Sequence, residues 1–496
     1  MPNPLGAANF TAVMDQESLQ VVDRAMGEPR LHRGLWYMGA KARVLPGFLD
    51  AVLEAEVPRD GTVVDLMCGT GVVSAYCAHR YRVFANDAQQ YASIVAQSLI
   101  EHGSGAKRDF LCAIDVEADL SDAYQRNRNA LERLYRPALA REAELLDRYA
   151  RGDRGRDWAD AYRAFLESPG SVYGGSSPRR GGRTNGLYAR AQRLLASESI
   201  ASYRRDSGRR PACLITAYYA NVYFGLRQAI ELDSLRAAIA DLSGRRAAVR
   251  RRQVHYLSAL IHAASVTTSG TSHFAQPRHL TKDSELRAMA ERRRIDFFEK
   301  VVACSRELLE VVAATAHRDG NQCFSGDYRS LIGGRNGDVR FSFPAEIDLV
   351  YLDPPYTADN YSRFYHVLEV LARYDYPELE ADRSGRILRG RYPKIESRFL
   401  SGFCRRNDVE SEFRHVVNAA AGSRAKLVIS YASPTGLLLQ RFRSAAPKQD
   451  PVRRLEAVCA ERYRTVRVER RAMTHSGQGE KGRRIEELLV VCTRPR

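Results

Sequence analysis

Short apolar runs, each followed by glycine or by an acidic residue, mark the first hundred residues of the chain. The β-branched run TVVDLM at residues 62–67 precedes Gly69, Gly71 and the helically spaced VVSAYCAHR. A second run, YRVFAND, ends at Asp87 and precedes AQQYASIVAQSLI, whose apolar residues again recur at helical spacing. Strand, glycine turn, helix and strand in this order predict the start of a parallel α/β sheet.

The pattern changes between about residues 105 and 320, where the sequence is charged and has mostly helical spacing. One break, ESPGSVYGGSSPRRGGRTNG, is too rich in Gly, Ser, Pro and Arg to bury a core and is predicted to be a loop. Strand signals return at QCFSGD, EIDLVYLD, AKLVISYAS and IEELLVVCT. We therefore predict one α/β domain, residues 30–105 and 320–496, interrupted by a helical insertion at 106–319.

Composition favours a folded protein with a polyanionic partner. The 496 residues are 44% hydrophobic, and 76 Lys and Arg against 59 Asp and Glu give a net charge of +17. Such an excess favours nucleic acid as a partner, although a generally arginine-rich proteome would also produce it. The nine cysteines contain no Cys-x-x-Cys pair, which disfavours a zinc module and a disulfide framework and favours the cytoplasm. No apolar run approaches 18 residues, so we expect no membrane segment.

The turn DLMCGTG predicts a nucleotide-like ligand. Glycines after a strand let the backbone approach a ligand and let the next helix face it. Asp87, at the end of the following strand, is placed to accept hydrogen bonds from ribose hydroxyls. The third glycine of a dinucleotide fingerprint is missing, because its position is Ser74. A cofactor with adenosine but no pyrophosphate, S-adenosylmethionine, fits better, while turn glycines without function remain the alternative.

The tetrapeptide Asp353, Pro354, Pro355 and Tyr356 follows an apolar run. Prolines fix the backbone and lack N–H groups, so a carboxylate and a carbonyl can be held side by side as two acceptors for one NH2 group. Two such acceptors would aim the lone pair of an exocyclic base amine at an electrophilic methyl group. The ring of Tyr356 can stack on a base that has left its helix. A rigid turn without function is the alternative, but it would not predict the glycine turn upstream.

Together these motifs resemble the Dam-like, α-group family of adenine-specific DNA methyltransferases, which use S-adenosylmethionine. That family has a Tyr-x-Gly-x-Lys element, a glycine turn, an inserted recognition region and Asp-Pro-Pro-Tyr in this order. The resemblance implies a Rossmann-like class I methyltransferase sheet and double-stranded DNA as substrate. It implies cofactor contacts from Tyr37, Met38, Gly39, Lys41, Asp65, Met67, Cys68, Gly69, Gly71, Asp87, Asp327 and Asp353. The turn departs from the family at Cys68-Gly-Thr-Gly, and we expect cofactor binding to survive this change.

Other interpretations remain beside adenine methylation. The acceptor could be RNA or a protein glutamine, although the glutamine enzymes typically have Asn where Asp353 stands, or the chain could be a non-catalytic nucleic-acid-binding subunit. Carbon-5 cytosine chemistry is excluded because no Pro-Cys dipeptide occurs. We expect no metal, since His255 and His262 lack a carboxylate in the same pattern. A cognate restriction or defence component is a candidate partner, and the sequence leaves the target site and the oligomeric state open.

Four aromatic residues of the insertion allow two interpretations. Tyr218, Tyr219, Tyr223 and Phe224 recur at helical spacing, which favours core packing over base stacking. The arginine-rich break within the insertion could contact phosphates or be a solvated charge run.

Overall fold

The computed structural model describes residues 41, 44–103, 107–167, 211–271, 274–333, 339–383, 387–474 and 484–496. Its centre is a seven-stranded sheet in the order β3-β2-β1-β6-β7-β9-β8, beside a two-stranded ribbon formed by β4 and β5. The strands are β1 Thr62–Asp65, β2 Arg82–Asp87, β3 Gln322–Ser325, β4 Ile332–Gly333, β5 Arg340–Phe341, β6 Leu349–Leu352, β7 Lys426–Ser433, β8 Tyr463–Thr474 and β9 Arg484–Pro495.

Five neighbouring strands of the large sheet run parallel, and the last two form an antiparallel hairpin. Strand β1 pairs with β2 and β6 in parallel, with Val64 opposite Phe84 and Val350. Strand β9 runs antiparallel to both β7 and β8. Strands β1 and β6 are buried along their whole length, as expected for parallel strands covered on both faces. The predicted fold class, an α/β Rossmann-like methyltransferase sheet, is confirmed.

Helices cover the sheet and fill the region between β2 and β3. They are α1 Asp50–Glu56, α2 Val72–Cys77, α3 Gln90–Ile100, α4 Lys107–Cys112, α5 Val116–Ala150, α6 Arg156–Glu167, α7 Leu214–Tyr219, α8 Leu226–Ala240, α9 Arg246–Thr267, α10 Asp283–Arg293, α11 Phe297–Ala314, α12 Tyr361–Phe364, α13 His366–Arg373, α14 Val409–Gly422, α15 Leu437–Ala445 and α16 Pro451–Ala460.

The described part of the insertion is helical, as its spacing predicts, and local signals fix where helices begin. The side chain of Asp115 accepts a hydrogen bond from Ala118 N at 3.0 Å before α5. The side chain of Asp296 accepts one from Glu299 N at 3.0 Å before α11. Such caps satisfy backbone N–H groups that have no partner within the helix. None of the helices in the described ranges is long and apolar enough to cross a membrane.

One hydrophobic core joins the insertion to the sheet. It contains Val63 of β1, Leu99 of α3 and Leu260 of α9, all fully buried. Tyr218, Tyr219, Tyr223 and Phe224 lie in the same core and are at most 2% exposed, so the prediction that they pack inside is confirmed. The division into a domain of 30–105 and 320–496 and an insertion of 106–319 remains a prediction.

Candidate active site

The site is a cavity at the carboxyl edge of the parallel sheet. Asp65 ends β1, Asp87 ends the adjacent β2, and Asp353 directly follows β6 on the other side of β1. Because parallel strands end at the same edge, three acids from distant parts of the chain meet there. The cavity holds about 1100 Å³, counting its open mouth. The predicted residues that line it are Lys41, Asp65, Met67, Cys68, Gly69, Asp87, Asp353, Pro354, Pro355 and Tyr356.

The glycine turn joins β1 to α2 and is held by side chains as well as by its own backbone. Gly71 has φ +78°, and a Cβ there would lie 2.8 Å from Ala96 Cα, so only glycine fits this approach to α3. Gly69 N donates to Asp87 Oδ2 at 3.0 Å, which ties the turn to the end of β2. Ser74, where a dinucleotide fingerprint would have its third glycine, donates from its hydroxyl to Asp65 Oδ2 at 2.6 Å.

Burial raises the pKa of each of the three acids, Asp65, Asp87 and Asp353. It raises the pKa of Asp65 to about 7, against the opposing hydrogen bond from Ser74. It raises the pKa of Asp87 to about 6, although the N–H groups of Gln89 and Gly69 lower it. Within the described residues, Oδ1 of Asp65 has no hydrogen-bond partner. An unpaired buried carboxylate oxygen in a cavity favours a ligand that brings positive charge or hydrogen-bond donors.

Asp353 is held by a buried lysine. Lys41 Nζ lies 3.0 Å from Asp353 Oδ1 and 4.5 Å from the centre of the Tyr356 ring, and it also donates to the Tyr356 hydroxyl. Burial raises the pKa of Asp353 to about 6, while the positive charge of Lys41 lowers it. Burial lowers the pKa of Lys41, but the nearby carboxylates raise it by more, so its net shift is upward. Lys41 and Asp353, which the sequence analysis takes from two separate motifs, therefore form one ion pair.

Two site residues were missing from the sequence prediction. Glu487 on β9 accepts a hydrogen bond from the Tyr356 hydroxyl at 2.7 Å and lies 3.2 Å from Lys41 Nζ. Ser430 on β7 donates to the same Glu487 oxygen. The available signal was an acidic residue beside the buried leucines of β9, because charge within a buried strand requires a partner.

Some predicted site residues do not line the cavity or lie outside the described part of the chain. Asp327 accepts a hydrogen bond from Arg329 N at 3.1 Å, and its neighbours Gly326 and Tyr328 line the cavity while Asp327 does not. Gly71 shapes the turn without lining the cavity. Tyr37, Met38 and Gly39 lie outside the described residues, as does the arginine-rich break after Glu167.

Potential metal ligands come together away from this cavity. The ligand atoms of His262, Cys304 and Glu307 all lie within 4.8 Å of one another. Burial raises the pKa of the Cys304 thiol to about 12. His255, the second histidine for which the sequence predicts no metal binding, has Nε2 2.8 Å from Ser305 Oγ.

The sheet, the glycine turn and the acids at its carboxyl edge define a Rossmann-like methyltransferase fold. Residues 338–418, which include Asp353 to Tyr356, match the D12 class N6 adenine-specific DNA methyltransferase family. This match agrees with the resemblance that the sequence motifs carry.

The chain is also similar to two curated proteins that are named as methyltransferases or methylases. The chain is 33% identical over 120 residues to the type II methyltransferase M.FokI of Planomicrobium okeanokoites, covering 24% of this chain and 15% of the relative. It is 21% identical over 455 residues to the modification methylase LlaI of Lactococcus lactis subsp. lactis, covering 92% of this chain and 54% of the relative. The chain thus spans at most about half the length of these relatives. No solved structure matches it.

Proposed function

We propose that the protein is a DNA methyltransferase that methylates the exocyclic amine of adenine in a specific double-stranded sequence, with S-adenosylmethionine as methyl donor. One observation carries the proposal: the Asp353-Pro-Pro-Tyr segment and the glycine turn, with Asp87, line the same cavity. The family match and the names of the relatives support the same activity.

The cavity fits this cofactor by its chemistry. When bound, S-adenosylmethionine supplies a methyl group activated by a positively charged sulfur. Asp87 is proposed to accept from its ribose hydroxyls, and the unpaired Oδ1 of Asp65 is a ready acceptor for its charged amino group. Lys41, Met67, Cys68 and Gly69 would complete the contacts, while Gly71 shapes the turn. We keep Tyr37 to Gly39 as proposed contacts.

The adenine is proposed to leave the duplex and enter beside Tyr356, whose ring stacks on it. The Asp353 carboxylate and the carbonyl of Pro354 accept its two N–H groups, which directs the nitrogen lone pair. As the amine gains positive charge, the ionised Asp353 stabilises it more strongly than it stabilised the neutral amine. Because the pKa of Asp353 is about 6, the carboxylate is ionised at neutral pH and can also take up the released proton.

We further propose that the insertion at 106–319 grips DNA and reads its sequence, because the α/β part already supplies the chemistry. One relative is named a type II methyltransferase and the other a modification methylase, which supports a restriction enzyme as the cognate partner. We propose that the protein works in the cytoplasm, where scattered free thiols are stable.

The test is methyl transfer from labelled S-adenosylmethionine to an adenine-containing duplex, followed by mapping of modified bases in DNA from expressing cells. Label should enter N6 of adenine within one sequence. The Asp353→Asn variant should bind cofactor normally but turn over about a hundredfold to a thousandfold more slowly, because Asn lacks the charge that stabilises the transition state. Label in RNA or protein, or near-normal turnover by Asp353→Asn, would contradict the proposal.

A further inference from the structure

We propose that Glu487 is a positioning residue of the site, which fixes Lys41 and Tyr356 against Asp353 from strand β9. This inference rests on the proposed methyl transfer, because it concerns the residue that would bind the amine. Glu487 lies on β9, opposite Ala432 near the end of β7. Its side chain is 4% exposed, against 19% for Asp353.

One oxygen of Glu487 collects three contacts. Oε1 accepts from the Tyr356 hydroxyl at 2.7 Å and from the Ser430 hydroxyl, and it lies 3.2 Å from Lys41 Nζ. The ammonium group of lysine has three donors and no acceptor. Here those donors face Asp353, Glu487 and the Tyr356 oxygen, so the direction of the lysine is fixed. Lys41 occupies Asp353 Oδ1, and we assign Oδ2 to the substrate amine.

Packing alone does not explain a carboxylate at this position. Leu488, Leu489 and Val490, which follow in the same strand, are fully buried. A hydrophobic side chain would fill the space without desolvating a charge, and replacing a buried ion pair by apolar residues is often neutral or stabilising. The position of the charge, in contact with two cavity-lining residues, therefore points to the site rather than to the core.

The electrostatic role of Glu487 has a definite sign. Asp353 is faced by charged or titratable groups from every element around it, namely Lys41, Asp65, Tyr351, Tyr356, Tyr361 and Glu487. Among them Lys41 favours the ionised form of Asp353, whereas Glu487 opposes it. Loss of the Glu487 charge and loss of the Lys41 charge should therefore move the ionisation of Asp353 in opposite directions.

The experiment compares Glu487→Leu, Glu487→Gln and Lys41→Met with Glu486→Gln. Glu486 is the adjacent residue on β9, is 47% exposed and pairs with Arg470, so it is a matched control. Glu487→Leu should lower kcat about tenfold to a hundredfold with little change in KM for DNA or cofactor, as expected for a residue that orients a catalytic group. Glu487→Gln keeps the acceptor oxygen and should lose less than about tenfold, while Glu486→Gln should behave like the unmodified protein.

The pH profile of kcat/KM separates positioning from general loss of stability. Its acidic limb should move to lower pH by at least about half a unit in Glu487→Gln and to higher pH in Lys41→Met. Unchanged kcat in Glu487→Leu, or a limb that does not move in Glu487→Gln, would overturn the inference. If Glu487→Leu fails to fold, the Gln variant decides alone. No methyl transfer by the unmodified protein would defeat the proposed function itself, whereas an active enzyme indifferent to Glu487 would defeat only this inference.

Discussion

Replacement of Asp65 by asparagine should stabilise the cofactor-free protein, and the gain should grow as the pH rises. Asp65 is 1% exposed, and its Oδ2 accepts the hydroxyl of Ser74 at 2.6 Å. Its Oδ1 has no hydrogen-bond partner among the described residues. An ionised carboxylate in this setting is costly, whereas asparagine keeps the shape and an oxygen for Ser74 without the charge.

The magnitude follows from the pKa of Asp65, which burial raises from 3.8 to about 7. An acid with a higher pKa in the folded state binds more protons folded than unfolded. The free energy of unfolding therefore falls as the pH rises from about 4 to about 7. About three pKa units correspond to about 4 kcal/mol in total, of which about 2.5 kcal/mol is lost between about pH 5 and pH 8. Asparagine does not titrate, so the variant should gain about that amount over the same interval.

The measurement is equilibrium unfolding in urea at both pH values, with cofactor absent. The exposed Asp60, which pairs with Arg318, supplies the control variant Asp60→Asn. A stability difference that is the same at both pH values, or an Asp65→Asn variant less stable at high pH, would refute the reasoning. The same variant should bind S-adenosylmethionine more weakly, because it lacks the negative charge of Asp65. That charge destabilises the free protein but would be paired by the positively charged ligand.

Three further outcomes are expected. Asp87→Ala should weaken cofactor binding about tenfold to a hundredfold in calorimetry, since a buried charged acceptor contributes about 1.5–3 kcal/mol, and unchanged affinity would count against the ribose assignment. Tyr356→Phe should lower kcat, because it removes the hydroxyl that joins Lys41 and Glu487. Tyr356→Ala should also raise KM for DNA, because base stacking contributes about 1–3 kcal/mol. Identical kinetics of the two variants would contradict separate roles for the hydroxyl and the ring. DNA binding should weaken steeply with salt, and deletion of residues 170–186 should lower DNA affinity but not cofactor affinity; a flat salt dependence would argue against a DNA substrate.

The strands that build the site could be predicted because their signals are local. β1, β2 and β6 are apolar runs followed by a glycine turn or an acid, so each is recognisable alone. Strand β8 was not predicted, because Tyr463–Thr474 contains several arginines and no apolar run. Its place at the edge of the sheet explains this, since an edge strand pairs on one side only and tolerates charge.

The parts of the site that depend on distant contacts could not be predicted. The motif residues Asp65, Asp87 and Asp353 are identified by their neighbours in sequence. The contacts of Glu487 with Lys41 and Tyr356 arise only when the C-terminal hairpin pairs with β7, and no local pattern encodes that pairing. The residues at which the insertion begins and ends also lack a local sequence signal, because its helices share one core with the sheet.

The carboxyl edge of the sheet gives this basic protein an acidic cavity. Asp65, Asp87 and Asp353 line this cavity, and Glu487 contacts Lys41, which also lines it. Lys41 compensates only part of the negative charge of these four acids. Such a field is in place before the proposed reaction, and it would favour the proposed cationic cofactor and the amine as it becomes positive. It would repel phosphates, so the excess of 76 basic over 59 acidic residues must act elsewhere on the surface. The adenine base is the uncharged part of DNA, so a flipped base can enter the acidic cavity while the phosphates stay with basic residues outside it.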